Sequence, residues 1–210
     1  MEKYVGLLLK MPFMRMYVKF VKPLIDFVIA LVAIVFLTPV FLLVATAIKL
    51  DSPGPVFFLQ QRLGKNGRVF KIVKFRSMRT DIVSYKYGDV LTENNPQITK
   101  IGKFIRKTSI DELPQLFNII KGEMCFIGPR PPLTTYPNAF NEYNEYEIKR
   151  FEVRPGISGL AAIKQRQIHN WNLNIPLDVE YVEKISFKLD LNLFISSVLV
   201  FFKTDNIYSK

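Results

Sequence analysis

The longest hydrophobic run in the chain is PLIDFVIALVAIVFLTPVFLLVATAI, residues 23–48, which carries no charge from Phe27 to Ile48. That length matches a bilayer-spanning helix. Two features compete with spanning. Thr38-Pro39 sits in the middle, where proline removes a backbone donor and kinks or breaks a helix. Basic residues flank both ends, Lys19 and Lys22 before and Lys49, Arg62, Lys65 and Arg68 after, whereas a spanning helix concentrates them on one side. The pattern leaves a spanning helix and a re-entrant one level. In residues 1–22, apolar positions alternate with Lys3, Lys10, Arg15, Lys19 and Lys22, which predicts an amphipathic helix in a lipid headgroup layer. Asp26 needs a partner at that depth, and Lys19 or Lys22 can supply it.

The turn cluster DSPGP, residues 51–55, ends this pattern and divides a membrane-associated segment, residues 1–50, from residues 51–210. Val56–Gln60 and Val69–Phe75 read as strands, with Asn66-Gly67 as a two-residue hairpin turn. Lys74 and Arg76, two apart, share a strand face; they suit a common anion or an ordinary solvated edge. Residues 79–98 are polar and read as a loop. Ile110, Leu113, Phe117 and Ile120 form an apolar helical stripe beside a polar one of Asp111, Gln115 and Asn118. Pro114 belongs in a first turn, so that helix is expected to begin close to Asp111 and Glu112. Residues 133–152, with Tyr136, Tyr143 and Tyr146, read as an amphipathic helix. Leu189–Phe202 is too short to span and is expected to pack at the core or the membrane interface. The elements sum to a mostly helical α+β protein.

Charge narrows the partners. The 210 residues hold 29 Lys+Arg against 18 Asp+Glu, a net +11, which favours phosphate-bearing partners. Hydrophobic residues make up 49%, and the aromatics lie in apolar runs instead of alternating with basic residues, so a membrane surface is favoured over nucleic acid. Cys125 is the only cysteine and excludes an intrachain disulfide, fitting a reducing compartment. His169 is the only histidine and reads as a surface residue; no Cys/His zinc cluster exists.

The candidate chemistry is concentrated around Asp111 and Glu112. Arg106 and Lys107 precede them, and Arg130 follows in the stiff turn Gly128-Pro129-Arg130-Pro131-Pro132. Arg154-Pro155-Gly156 opens a second tight basic turn. The acids have two uses that do not exclude each other. Asp111 can cap a helix, or Ser109 and Glu112 can form a capping box. A helix start also offers free N–H groups and a positive dipole end to a phosphate.

The ordered motifs QQRLGKNGRVFKIVKFRSM, ITKIGKFIRKTSIDELPQLFNIIKGEM, GPRP and VRPGISG resemble the small monotopic bacterial phosphoglycosyl transferases, whose catalytic unit is the bacterial sugar transferase domain. The resemblance runs from Lys22 to about Phe202. It implies transfer of a phosphosugar from a UDP-sugar to undecaprenyl phosphate, releasing UMP, with Mg²⁺ required. It also implies a place on the cytoplasmic face of the bacterial inner membrane, with a re-entrant helix broken at Thr38-Pro39 and interfacial helices. Asp111 matches the nucleophile and the expected metal ligand, and Glu112 its companion. Arg106 and Arg130 match phosphate-binding arginines. Pro129 and Pro131 frame Arg130, and Lys74, Arg76, Arg154 and Arg166 complete the expected substrate-binding set. The chain departs from the family pattern at Leu160-Ala161-Ala162, at Lys164-Gln165-Arg166-Gln167 and at Cys125, where serine is usual, so no particular sugar transfers with the resemblance. A homodimer is left open. The rival reading is a non-catalytic scaffold on the membrane surface, binding anionic lipid or a glycan-assembly partner; it gives no reason for an Asp-Glu pair beside Arg106 and Arg130.

Overall fold

The computed structural model of the protein describes residues 12–80, 95–165 and 170–202. Lys3, Lys10, most of the expected polar loop, Arg166 and His169 lie outside the described residues.

A short helix α1, Pro12–Met16, and a π-helical turn, Tyr17–Val21, lead into α2, Lys22–Asp51. Helix α2 does not divide at Thr38-Pro39 into two elements; Pro39 lies inside one helix. The Thr38 hydroxyl donates to the Ile34 carbonyl at 2.8 Å, a back-bond compatible with helical φ/ψ. The stretch Met14–Asp51 is long and apolar enough to cross a membrane by length and composition. Most of it is exposed: Val35, Phe36, Leu42 and Leu43 lie open.

The other face of α2 belongs to the core. Ala30 is fully buried in one hydrophobic cluster with Phe70, Ile72, Leu116, Ile119 and Met124. Ile48 joins Phe75 and Ile105 in another. With Ala33, Ile34, Leu37, Phe41 and Val44 partly buried between them, the contacting positions recur every three or four residues, one stripe of a helix. Both ends are anchored. At the start, Lys22 pairs with Asp190 at 2.7 Å and lies 4.0 Å from Asp26, so the expected Asp26 partner is present but bonds more closely elsewhere. At the end, Arg76 grips the last turn.

The hairpin follows: β1, Phe57–Leu63, pairs antiparallel with β2, Val69–Phe75, in a register that sets Leu63 opposite Val69. The connection is therefore the five residues 64–68, not a two-residue turn. Asn66 (φ 56°) and Gly67 (φ 73°) are both left-handed, as the Asn-Gly pair foretold, but inside a 3₁₀ turn, Lys65–Gly67.

Helix α3, Lys100–Lys107, is N-capped by the Thr99 hydroxyl, which accepts from Gly102 N at 2.8 Å. A 3₁₀ turn, Ile110–Gln115, precedes α4, Leu116–Ile120. Strand β3, Cys125–Ile127, pairs in parallel with β4, Gly156–Ser158. Residues 133–152 are not the expected amphipathic helix. They contain two 3₁₀ turns, Phe140–Glu142 and Glu147–Phe151, and the rings of Phe140 and of Tyr143, just after the first turn, each meet Phe151 edge to face. The chain ends its described part with α5, Leu160–Lys164, α6, Trp171–Lys184, and α7, Phe187–Phe202. Helix α7 buries Leu193 and exposes Leu191, Ile195 and Leu199. The architecture is mostly helical α+β.

Candidate active site

Ser109 turns the chain into the site. It has a left-handed backbone (φ 54°), uncommon for a residue with a side chain, and makes no side-chain cap. Neither the capping box nor an Asp111 cap forms. The two acids sit within the 3₁₀ turn Ile110–Gln115, packed against β2, and Pro114 is part of the same turn. Regular α-helix begins only at Leu116. The expected closeness of acids and helix start is correct, but the capping use is absent.

The neighbouring carboxylates have different surroundings. Lys74 Nζ, from β2, donates to Glu112 Oε1 at 2.6 Å. Asp111 has no such contact among the described residues, and its own backbone N–H only weakly favours the ionised form. Burial is the largest influence on Asp111, with Lys74 and Arg106 opposing it and Glu112 adding to it, and the carboxyl is pushed up to about 6. Burial acts on Glu112 too, but Lys74, Arg130 and Arg62 outweigh it and hold that carboxyl down at about 2. One acid is neutralised by a lysine. The other is a half-buried, more basic carboxylate with no ion-pair contact.

The sequence-selected residues divide. Lys74, Arg106 and Arg130, expected to bind substrate phosphate, lie near enough to act electrostatically on the acid pair. Pro129 and Pro131 are buried and hold the turn that carries the exposed Arg130. Arg76 belongs elsewhere: it is 3% exposed, and its guanidinium donates to the carbonyls of Pro53 (2.6 Å) and Ser52 (2.6 Å) and to the Ser52 hydroxyl (3.0 Å). It terminates α2 and does not serve an anion. Arg154 lies over Gly122. Cys125 is buried with its Sγ 3.1 Å from the Ile127 carbonyl.

The sequence reading missed Arg62, two strand positions from Gln60, which it bonds through Oε1 at 2.6 Å while its Nη1 reaches the Pro131 carbonyl at 3.0 Å. Its motif was noted, but only the hairpin register aligns it with the proline turn. Also missed was Asn118, completely buried, whose side chain accepts from Val73 N at 3.0 Å and donates to the Lys71 carbonyl at 2.8 Å. It occupies the open edge of β2 as a strand would, just before Lys74.

Among the described residues no group of three or more His, Cys, Asp or Glu side chains can enclose a metal. The donor set suits a hard cation held by one or two carboxylates and completed by substrate phosphate oxygens.

The two adjacent carboxylates, one bonded to Lys74 and one without an ion pair among the described residues, share their surroundings with Arg62, Arg106 and Arg130 on a body that packs against the long apolar helix α2. The sequence model of the family described as "Bacterial sugar transferase" matches residues 17–204, and the chain belongs to that family. It is 39% identical over 211 residues to an Aeromonas hydrophila UDP-N-acetylgalactosamine-undecaprenyl-phosphate N-acetylgalactosaminephosphotransferase, covering 97% of this chain and 46% of that protein. It is 33% identical to a Caulobacter vibrioides UDP-glucose:undecaprenyl-phosphate glucose-1-phosphate transferase, covering 94% of this chain and 75% of the relative. A Bacillus subtilis protein named as an uncharacterized sugar transferase, EpsL, is 41% identical over 82% of each chain. The chain thus spans less than half the length of the Aeromonas protein.

Proposed function

We propose that the protein transfers a phosphosugar from a UDP-sugar to undecaprenyl phosphate, giving undecaprenyl-diphospho-sugar and UMP, through a covalent Asp111 intermediate. The observation that carries this reading is the inequality of the acids. Lys74 is committed to Glu112 at 2.6 Å, which leaves the more basic Asp111 oxygen free to act as a nucleophile. In the first step an Asp111 oxygen attacks the sugar-bearing phosphorus, and the bond to the bridging oxygen breaks to release UMP. In the second, an oxygen of the lipid phosphate attacks the same phosphorus, and the Asp111 carboxylate leaves. No proton has to be removed from either anion. Arg106, Arg130 and Arg62 supply charge to the phosphates. Mg²⁺ bound at Asp111 and the diphosphate would neutralise charge on the leaving UMP.

The apolar helix fits the lipid substrate. Both ends of α2 are tied to one body, at Lys22–Asp190 and at Arg76–Ser52. A helix held at both ends by the same polar domain supports immersion from one side, with its exposed middle in the acyl region and both ends cytoplasmic. In this reading the active site sits at headgroup depth on the inner membrane, where a soluble nucleotide meets a lipid phosphate.

The test is UMP release by detergent-solubilised protein with Mg²⁺, undecaprenyl phosphate and a panel of UDP-sugars. Release with at least one sugar, abolished by Asp111→Asn, is expected. A fully active Asp111→Asn variant overturns the nucleophile assignment.

A further inference from the structure

The turn that carries Arg130 has no loose backbone polar group. Pro129, Arg130, Pro131 and Pro132 present four carbonyls, and each accepts a hydrogen bond from a different residue. Gly156 N reaches Pro129 at 2.9 Å, Arg150 Nη2 reaches Arg130 at 2.8 Å, Arg62 Nη1 reaches Pro131 at 3.0 Å, and Leu63 N reaches Pro132 at 2.9 Å. Three of the four residues are prolines, so the stretch owns a single N–H, that of Arg130, which faces the Asp178 carboxylate and favours its ionised form. Arg150 thus holds the Arg130 carbonyl by a hydrogen bond, and Asp178 lies on the N–H side of the same residue.

Those two residues are themselves an ion pair, Arg150 Nη2 to Asp178 Oδ2 at 2.5 Å, with side chains 1% exposed. The Arg150 guanidinium also lies over the rings of Phe151 and Trp171, 5.3 and 5.1 Å from their centres. Burying such a pair is a poor route to stability, because desolvation offsets most of the attraction. Its location under the exposed arginine of the site gives it another use. We propose that Arg150 and Asp178 are positioning residues: they clamp the Arg130 peptide on both sides, so that the Arg130 side chain starts from a fixed origin and reaches the phosphates beside Glu112. This rests on the transferase reading above. Arginine contributes to a transition state only when its fork is aligned, and misplacement by about 1 Å costs on the order of 100-fold in rate.

The test replaces the pair by apolar residues of similar volume, Arg150→Met with Asp178→Leu, which leaves no unpaired buried charge and so preserves folding. The melting curve should fall only modestly, because the apolar pair leaves no charge stranded and the freed carbonyl belongs to the exposed Arg130, where water can replace the lost donor. The kcat/KM for UMP release should fall on the order of 100-fold. The same double substitution is then made in an Arg130→Ala background and read in single-turnover mode; there it should cost little further activity, because the group it positions is gone. Full activity in the apolar pair, or an equal loss in both backgrounds, overturns the positioning role. If the apolar pair fails to fold, Asp178→Glu is put through the same cycle and judged by the same outcomes. A parent protein that releases no UMP from any UDP-sugar overturns the transferase reading and this inference with it. An active parent with independent losses overturns this inference alone.

Discussion

Asp111→Asn should make the protein more stable while it removes activity. The substitution keeps the shape of the side chain and removes its charge. In the folded protein the Asp111 carboxyl is pushed up to about 6 from an ordinary 3.8, chiefly by burial, with Lys74 and Arg106 opposing and Glu112 adding to the rise. A carboxyl that holds its proton more tightly when folded destabilises the fold once it ionises. The cost is absent below the unfolded value of 3.8, grows as pH rises toward about 6, and is complete above it. The gap between the two values corresponds to about 3 kcal/mol. Water reaching the half-buried carboxylate reduces this to about 1–2 kcal/mol, or about 2–8 °C in Tm for a chain of this size. Thermal unfolding followed by circular dichroism in detergent, at about pH 8 and about pH 4, reads the difference. The Asn variant should melt higher near pH 8, and the gap should shrink near pH 4. A variant that melts lower near pH 8, or a gap that does not change with pH, contradicts the electrostatic account of the site.

Three further outcomes follow from the same contacts. The kcat/KM for UMP release should climb about tenfold per pH unit up to about 6 and then level, because the ionised Asp111 attacks; Lys74→Met removes a cation that favours ionisation and should move the inflection upward. Arg76→Met should destabilise the protein by about 3 kcal/mol, since it strands carbonyls at the end of α2, while leaving KM for the UDP-sugar unchanged; a raised KM with normal stability would return Arg76 to the substrate site. Single cysteines at Lys19 and Lys65 should both react with a membrane-impermeant thiol reagent from the cytoplasmic side of sealed vesicles, and reaction of either from the opposite side refutes the one-sided helix.

The site was legible in the sequence to the extent that its chemistry is local. Asp111, Glu112, Arg106 and the Gly-Pro-Arg-Pro turn sit close together along the chain, and their types announced an anion. The hairpin was legible from its strands and Asn66-Gly67, although the register, which residue pattern does not fix, lengthened the loop and brought Arg62 to the Pro131 carbonyl. What escaped was contact between distant segments. Lys22 meets Asp190 across 168 positions, and Arg150 meets Asp178 across 28, and nothing in local periodicity links them. Arg76 was misread for the same reason: two apart from Lys74 on one strand face, it is aimed at Ser52 and Pro53, which the strand pattern cannot reveal. Residues 133–152 have the apolar content of an amphipathic helix, yet their aromatics are satisfied by packing Tyr143 and Phe151 against each other and against Leu63 and Ile175 in short 3₁₀ turns. Tertiary packing overrode the local preference there.

The central claim is that Asp111 becomes covalently linked to the phosphosugar. Intact-mass measurement after incubation with a reactive UDP-sugar and Mg²⁺, with no lipid acceptor present, tests it directly. The account predicts a mass increase equal to one phosphosugar, a matching amount of UMP, loss of the adduct on adding undecaprenyl phosphate, and no adduct in Asp111→Asn. UMP release that appears only with the lipid acceptor, with no adduct at any time, would contradict it and point to direct transfer between the two substrates.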